Sequence, residues 1–200
     1  METLLSIGLG IGLSAACGFR VFVPLLIMGL AAQAGHLTLA PGFEWIGTSP
    51  ALAAFAVAVC LEIATYFVPG VDNLLDAVVT PAAIVAGTLV MAAAVSEMTP
   101  MLKWTLAVIA GGGAAATVQV ATAFTRGAST VTTGGLGNPL VATMELGGAM
   151  TLSLLAIALP FIAGIVVVGG LWFAGRRIHR RQRKDASHPR PSEDEAPRAT

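Results

Sequence analysis

The chain has 200 residues, 56% hydrophobic and only 11% charged, with eleven Lys/Arg against eleven Asp/Glu, whereas soluble domains carry roughly 25% charged residues. Residues 176–200 hold eight of the basic and four of the acidic side chains, leaving three cations (Arg20, Lys103, Arg126) and seven carboxylates for the rest. So few charges cannot cover a soluble globule, which excludes a soluble enzyme, a nucleic-acid binder or a disordered regulator for the body and predicts a multi-span membrane protein.

The chain opens Met1-Glu2-Thr3, without the positive segment of a signal peptide. Ala32-Gln33-Ala34 has the form of a cleavage site, but the preceding apolar run is too long and contains Arg20, so residues 4–34 are expected to be retained. Gly18, Arg20 and Pro24 interrupt that run and predict a bend or break. Further apolar stretches follow at about Pro50–Val68, Ala77–Ser96, Trp104–Thr125, Pro139–Leu159 and Phe161–Gly175, each near the roughly 20 residues that a helix needs to cross a bilayer. The last two are parted only by Pro160. Either a hairpin forms there, or a re-entrant piece at residues 138–148 precedes one long span, so five and six spans both stay open. Strand-like alternation is missing, so the expected fold is an all-α polytopic bundle with interrupted helices.

The connections carry turn chemistry at Pro41-Gly42, Gly47, Pro69-Gly70, Met98–Pro100 and in the Ser/Thr/Gly-rich stretch 127–139. Trp45, Trp104 and Trp172 lie near span ends, where amphipathic rings favour the headgroup region. Residues 1–175 read as the transmembrane domain and 176–200 as a tail, basic at first and then disordered. Arg176, Arg177, Arg180, Arg181, Arg183 and Lys184 put the C-terminus in the cytoplasm of a bacterial inner membrane and suit anionic lipid heads. Two Gly-rich starts, each followed by an arginine, a proline-led span and a carboxylate (Arg20 with Glu62, Arg126 with Glu145), suggest a weak inverted repeat.

Ionisable side chains within a span are costly and are functional candidates by default. Arg20, Glu62, Arg126 and Glu145 qualify. They either line a solute or ion pathway, or form structural pairs in which each arginine neutralises one carboxylate. Asp72, Asn73 and Asp76 offer hard oxygens for a cation, or else complement the start of a helix. They do not match the paired acidic motifs of membrane prenyl-transferring enzymes. In the expected loop after Arg126, Ser129, Thr130, Thr132, Thr133, Gly134, Gly135 and Asn138 could enclose a ligand or simply form a flexible connection. Cys17 and Cys60 read as small buried hydrophobes without metal-ligand spacing, and His36 is a lone loop histidine. The glycine and alanine runs at 8–12 and 111–116 read as helix-packing faces.

Gly12–Pro24, the Pro41–Trp45 block, Val71–Asp76 with Thr80-Pro81, and Arg126–Pro139 with Glu145–Gly148 together resemble a bacterial membrane family catalogued as domain of unknown function 4126. The resemblance covers most of residues 4–160. It implies an integral membrane protein and carries no substrate or reaction with it. The leading expectation is a channel- or transporter-like protein for a small solute or ion, without a cofactor. Alternatives are a scaffold that binds lipid or a partner protein, and an intramembrane enzyme acting on a lipid or isoprenoid. Expected partners are membrane lipids, a small solute or ion and further copies of the chain, but not nucleic acid.

Overall fold

The computed structural model describes residues 2–65 and 72–186; the side chains at 72–77, 174 and 177–186 lie outside the description. All regular elements among the described residues are helical. They are α1 (Glu2–Phe19), α2 (Phe22–Gln33), a short helical turn (Glu44–Gly47), α3 (Ser49–Ala64), α4 (Asp72–Ala94), α5 (Pro100–Leu106), a wider π-turn (Ala107–Gly112), α6 (Gly113–Thr133), α7 (Asn138–Ala158) and α8 (Pro160–Ala186). Glu2–Phe19, the continuous rod Pro100–Thr133 and Asn138–Ala158 are long and apolar enough to cross a membrane. Shorter apolar helices lie at Phe22–Gln33, Ser49–Ala64, Val78–Ala94 and Pro160–Phe173. Large apolar side chains are exposed along the rod and α7, among them Ile109, Phe124, Val131, Leu140 and Leu154. This is an all-helical membrane bundle, in which lipid replaces water around an apolar exterior.

The chain divides into two units, residues 1–167 and 168–200. In the first, α1 is the central helix, packed by α4, α6 and α7. It is built for close approach. A Cβ on Gly12 would lie 2.7 Å from the Ala156 Cβ, and one on Gly18 only 2.5 Å from the Ala115 carbonyl. The expected packing faces are observed at Gly8, Gly10, Gly12, Gly111 and Gly112, where backbones or small residues meet closely, whereas Gly113 faces open space. Across from Gly87, the π-turn carries Gly111, and the Ser14 hydroxyl donates to the Gly87 carbonyl at 2.7 Å.

Direction along the bundle follows from these contacts. Gly10 faces Met91 and Ser14 faces Gly87, so α1 and α4 run antiparallel. Val21 meets Glu62, whereas Gly29 meets Leu52, so α2 and α3 are antiparallel too. Beyond α2, the Ala40 N–H donates to the Ala93 carbonyl at 2.8 Å, at the level of the N-terminal half of α1. The expected break at Arg20 is thus a full reversal, and α1 and α2 form a hairpin whose tip is Arg20–Val21. Pro24 falls in the first turn of α2, where its missing N–H costs no hydrogen bond.

The second unit contains the continuation of α8 to Ala186, where Arg176 stacks on Trp172 at 4.4 Å from the ring centroid. Residues 187–200, with the expected disorder of the tail, and the Pro69-Gly70 turn lie outside the described residues.

Two sequence expectations are corrected. The Ser/Thr-rich stretch after Arg126 is not a loop, because α6 continues through Thr133. Its hydroxyls turn back onto the helix: Thr130 donates to the Arg126 carbonyl at 3.0 Å, Thr132 to Ala128 at 2.8 Å and Thr133 to Ser129 at 2.7 Å. Satisfied in this way, such side chains are compatible with a helix in an apolar setting. Only residues 134–137 form the connection, with Gly134 and Gly135 at φ 63° and 90°, a left-handed helix stop that suits glycine. The re-entrant piece at 138–148 is also absent: α7 runs unbroken from Asn138 and stops at Ala158, just before Pro160 starts α8.

Candidate functional site

A helical hairpin that turns inside a bundle leaves backbone groups bare on both sides of its tip: carbonyls at the end of α1 and N–H groups at the start of α2. Water cannot satisfy them inside an apolar bundle, so side chains must. The intramembrane charges meet this demand.

Glu62, in the last turn of α3, brings its carboxylate to the start of α2. Its Oε1 accepts from the Val21 N–H at 2.9 Å and its Oε2 from the Phe22 N–H at 3.4 Å. On the other side, the Gly18 carbonyl accepts from the Thr122 hydroxyl at 3.5 Å. With the Gln119 amide oriented as its surroundings require, its nitrogen also donates to Gly18 at 2.8 Å, and its oxygen accepts from Arg126 Nη2 at 3.3 Å.

Arg20 occupies the tip itself. Its Nη2 donates to the Ala142 carbonyl at 2.9 Å and its Nη1 to the main-chain carbonyl of Glu62 at 3.4 Å. The same Nη2 lies 3.7 Å from Glu145 Oε2, while Arg126 Nε lies 3.4 Å from Glu145 Oε1. The two separate pairs expected from charge balance are replaced by a shared arrangement: both arginines converge on Glu145, and the Glu62 carboxylate serves the backbone. Arg20, Glu62, Arg126 and Glu145 are 2%, 7%, 3% and 4% exposed, so all four charges are in the interior.

The site lies against the α5–α6 rod. Exposed apolar side chains run along the rod from Met101 to Val131, with Gln119 facing the interior between them. Arg126 is two turns further on. At the opposite end of α1, about 27 Å away along its axis, a cleft of about 380 Å³ is lined by Glu2, Ser6, Leu9, Thr38, Ser96 and Glu97 among others.

The remaining candidates are dispersed. Asn138 begins α7 and donates from Nδ2 to Thr130 Oγ1 at 3.0 Å, tying α6 to α7. Thr133 Oγ1 accepts from the Gly137 N–H at 2.9 Å and helps close the same turn. Ser129 and Thr132 lie on α6, and Gly134 and Gly135 form its stop. Asp72, Asn73 and Asp76 belong to the first turns of α4, but their side chains lie outside the described residues. Among the described residues, no three His, Cys, Asp or Glu side chains gather as a metal site. Cys17 is buried as expected, whereas Cys60 is exposed on α3.

Sequence reasoning missed Gln119 and Thr122, which sit in a stretch otherwise read as packing surface. A signal was present: 119, 122 and 126 have helical spacing and share one face with the arginine.

The family model for a domain of unknown function (DUF4126) matches residues 7–180, and the chain belongs to that family. Neither the curated proteins nor the solved structures contain a match.

Proposed function

We propose that this member of the DUF4126 family is a channel- or transporter-like protein for a small solute or ion, with its pathway at the Arg20–Glu62–Arg126–Glu145 cluster. One observation carries the reading: four buried charges, one from the tip of a hairpin that turns inside an apolar bundle and three from α3, α6 and α7, meet at that tip. Interrupted helices with charges at their broken ends are how transporters present polar groups at membrane depth. A purely structural core would be served at lower cost by apolar side chains.

The reading extends to placement. Six basic residues between 176 and 184 follow the last apolar stretch, which favours a bacterial inner membrane with the C-terminus in the cytoplasm. A fluorescent protein that matures only in the cytoplasm, fused after Thr200, should glow.

The functional test is flux into liposomes containing the purified protein, using a panel of small anions, cations and neutral solutes. Arg20→Gln and Arg126→Gln should lose flux while still eluting as folded protein. Liposomes indistinguishable from empty ones across the panel, or full flux in both variants, would overturn the assignment.

A further inference from the structure

We infer that the cluster takes a small monovalent anion together with one proton, and that the Glu62 carboxylate is a tethered anion occupying the anion's place. This rests on the transport reading and names its substrate class. The first support is the nature of the seat. Two backbone N–H groups of α2 converge on one carboxylate delivered by another helix, at 2.9 and 3.4 Å, with Glu62 only 7% exposed. The position therefore already holds a carboxyl group against two main-chain N–H donors in the protein's interior.

The second support is that both arginines beside that carboxylate also have other partners. Arg20 is held by main-chain carbonyls, those of Ala142 and of Glu62 itself, and by Glu145. Arg126 is held by Glu145 and Gln119. If the Glu62 side chain swings away, Arg20 and Arg126 retain these other partners, and the Val21 and Phe22 N–H groups become available to another anion of similar size.

Charge balance supplies the coupling. Among the described residues, the charged or titratable groups around Glu62 are Arg20 at the tip, Arg126 on α6, Glu145 on α7 and Cys17 on α1. With both carboxylates ionised, the two cations are balanced. A proton from the aqueous phase that binds the Glu62 carboxylate makes it a neutral acid and leaves the cluster one positive charge in excess. An incoming monovalent anion restores neutrality, and its departure with the proton resets the seat. The cycle moves one proton and one anion in the same direction and is electroneutral.

The test uses the full chain in liposomes loaded with a chloride-sensitive dye or a pH dye, with chloride and lactate as probes. The wild type should move the anion and acidify the lumen in step, indifferent to a potassium–valinomycin potential. Glu62→Gln leaves the seat permanently free of its carboxylate. It should retain anion flux, lose the accompanying proton and become driven by the potential, while Glu62→Asp should keep the coupling. Wild-type flux of cations or neutral solutes, with none of chloride or lactate, would overturn this inference and leave the transport reading standing. Anion flux without a proton in the wild type, or Glu62→Gln that stays proton-coupled or stays folded but inert, would overturn it as well. Proteoliposomes inert to every probe would sink both.

Discussion

Replacing Gly18 with alanine adds one methyl group where α1 and α6 meet, immediately before the hairpin tip. The new Cβ would lie 2.5 Å from the Ala115 carbonyl oxygen, 2.6 Å from the Val118 Cβ and 3.0 Å from the Gln119 backbone nitrogen. Two of these are main-chain atoms on a helix held along its length, so no flexible side-chain end can yield. Ordinary contact requires α1 and α6 to part by several tenths of an ångström, and overpacking of this kind costs about 2 kcal/mol. That is roughly thirtyfold in the folding equilibrium and a fall of about 5 °C in melting temperature. It would also pull the Gly18 carbonyl away from Thr122. Gly113 provides the control, since a Cβ there meets nothing within 4 Å and its helix is unaltered. Alanine at 113 should be neutral or stabilise by a few tenths of a kcal/mol through reduced backbone freedom. Melting curves of the detergent-solubilised protein, read by near-ultraviolet dichroism, give both numbers. Equal melting temperatures for Gly18→Ala and Gly113→Ala would refute the close-packed hairpin tip.

Three other substitutions probe the interior. Glu145→Gln removes the carboxylate shared by both arginines and should cost about 3 kcal/mol; adding Arg126→Gln should recover part of that loss in a double-mutant cycle, and strict additivity would argue against the shared arrangement. Ser14→Ala deletes the hydrogen bond to Gly87 and should cost about 0.6 kcal/mol, measured by the same melting curves. Cys60 should react with a lipid-soluble maleimide in the folded protein while Cys17 stays inert until denaturation, which mass spectrometry of the labelled peptides will show.

Composition alone decides the solvent in which the body folds. With three cations in its first 175 residues, the body could only fold in lipid, and only as helices. Composition also determined the packing mode, because Gly8, Gly12, Gly18 and Gly111 leave no other use for their missing side chains than close approach. The four charges were legible for the same reason: an ionisable group in an apolar run stands out whatever the fold. Their partners were not, since pairing depends on which helices become neighbours. Only the tertiary structure turned the break at Arg20 into a reversal, because a local sequence of Gly, Arg and Pro permits a kink and a hairpin alike. The choice lies with Glu62, Gln119 and Thr122, distant residues that satisfy the exposed backbone of the turn. Likewise, the Ser/Thr run after Arg126 has the composition of a loop. Its helical form was decided by surroundings in which the hydroxyls of Thr130, Thr132 and Thr133 do better bonded to their own backbone than left bare.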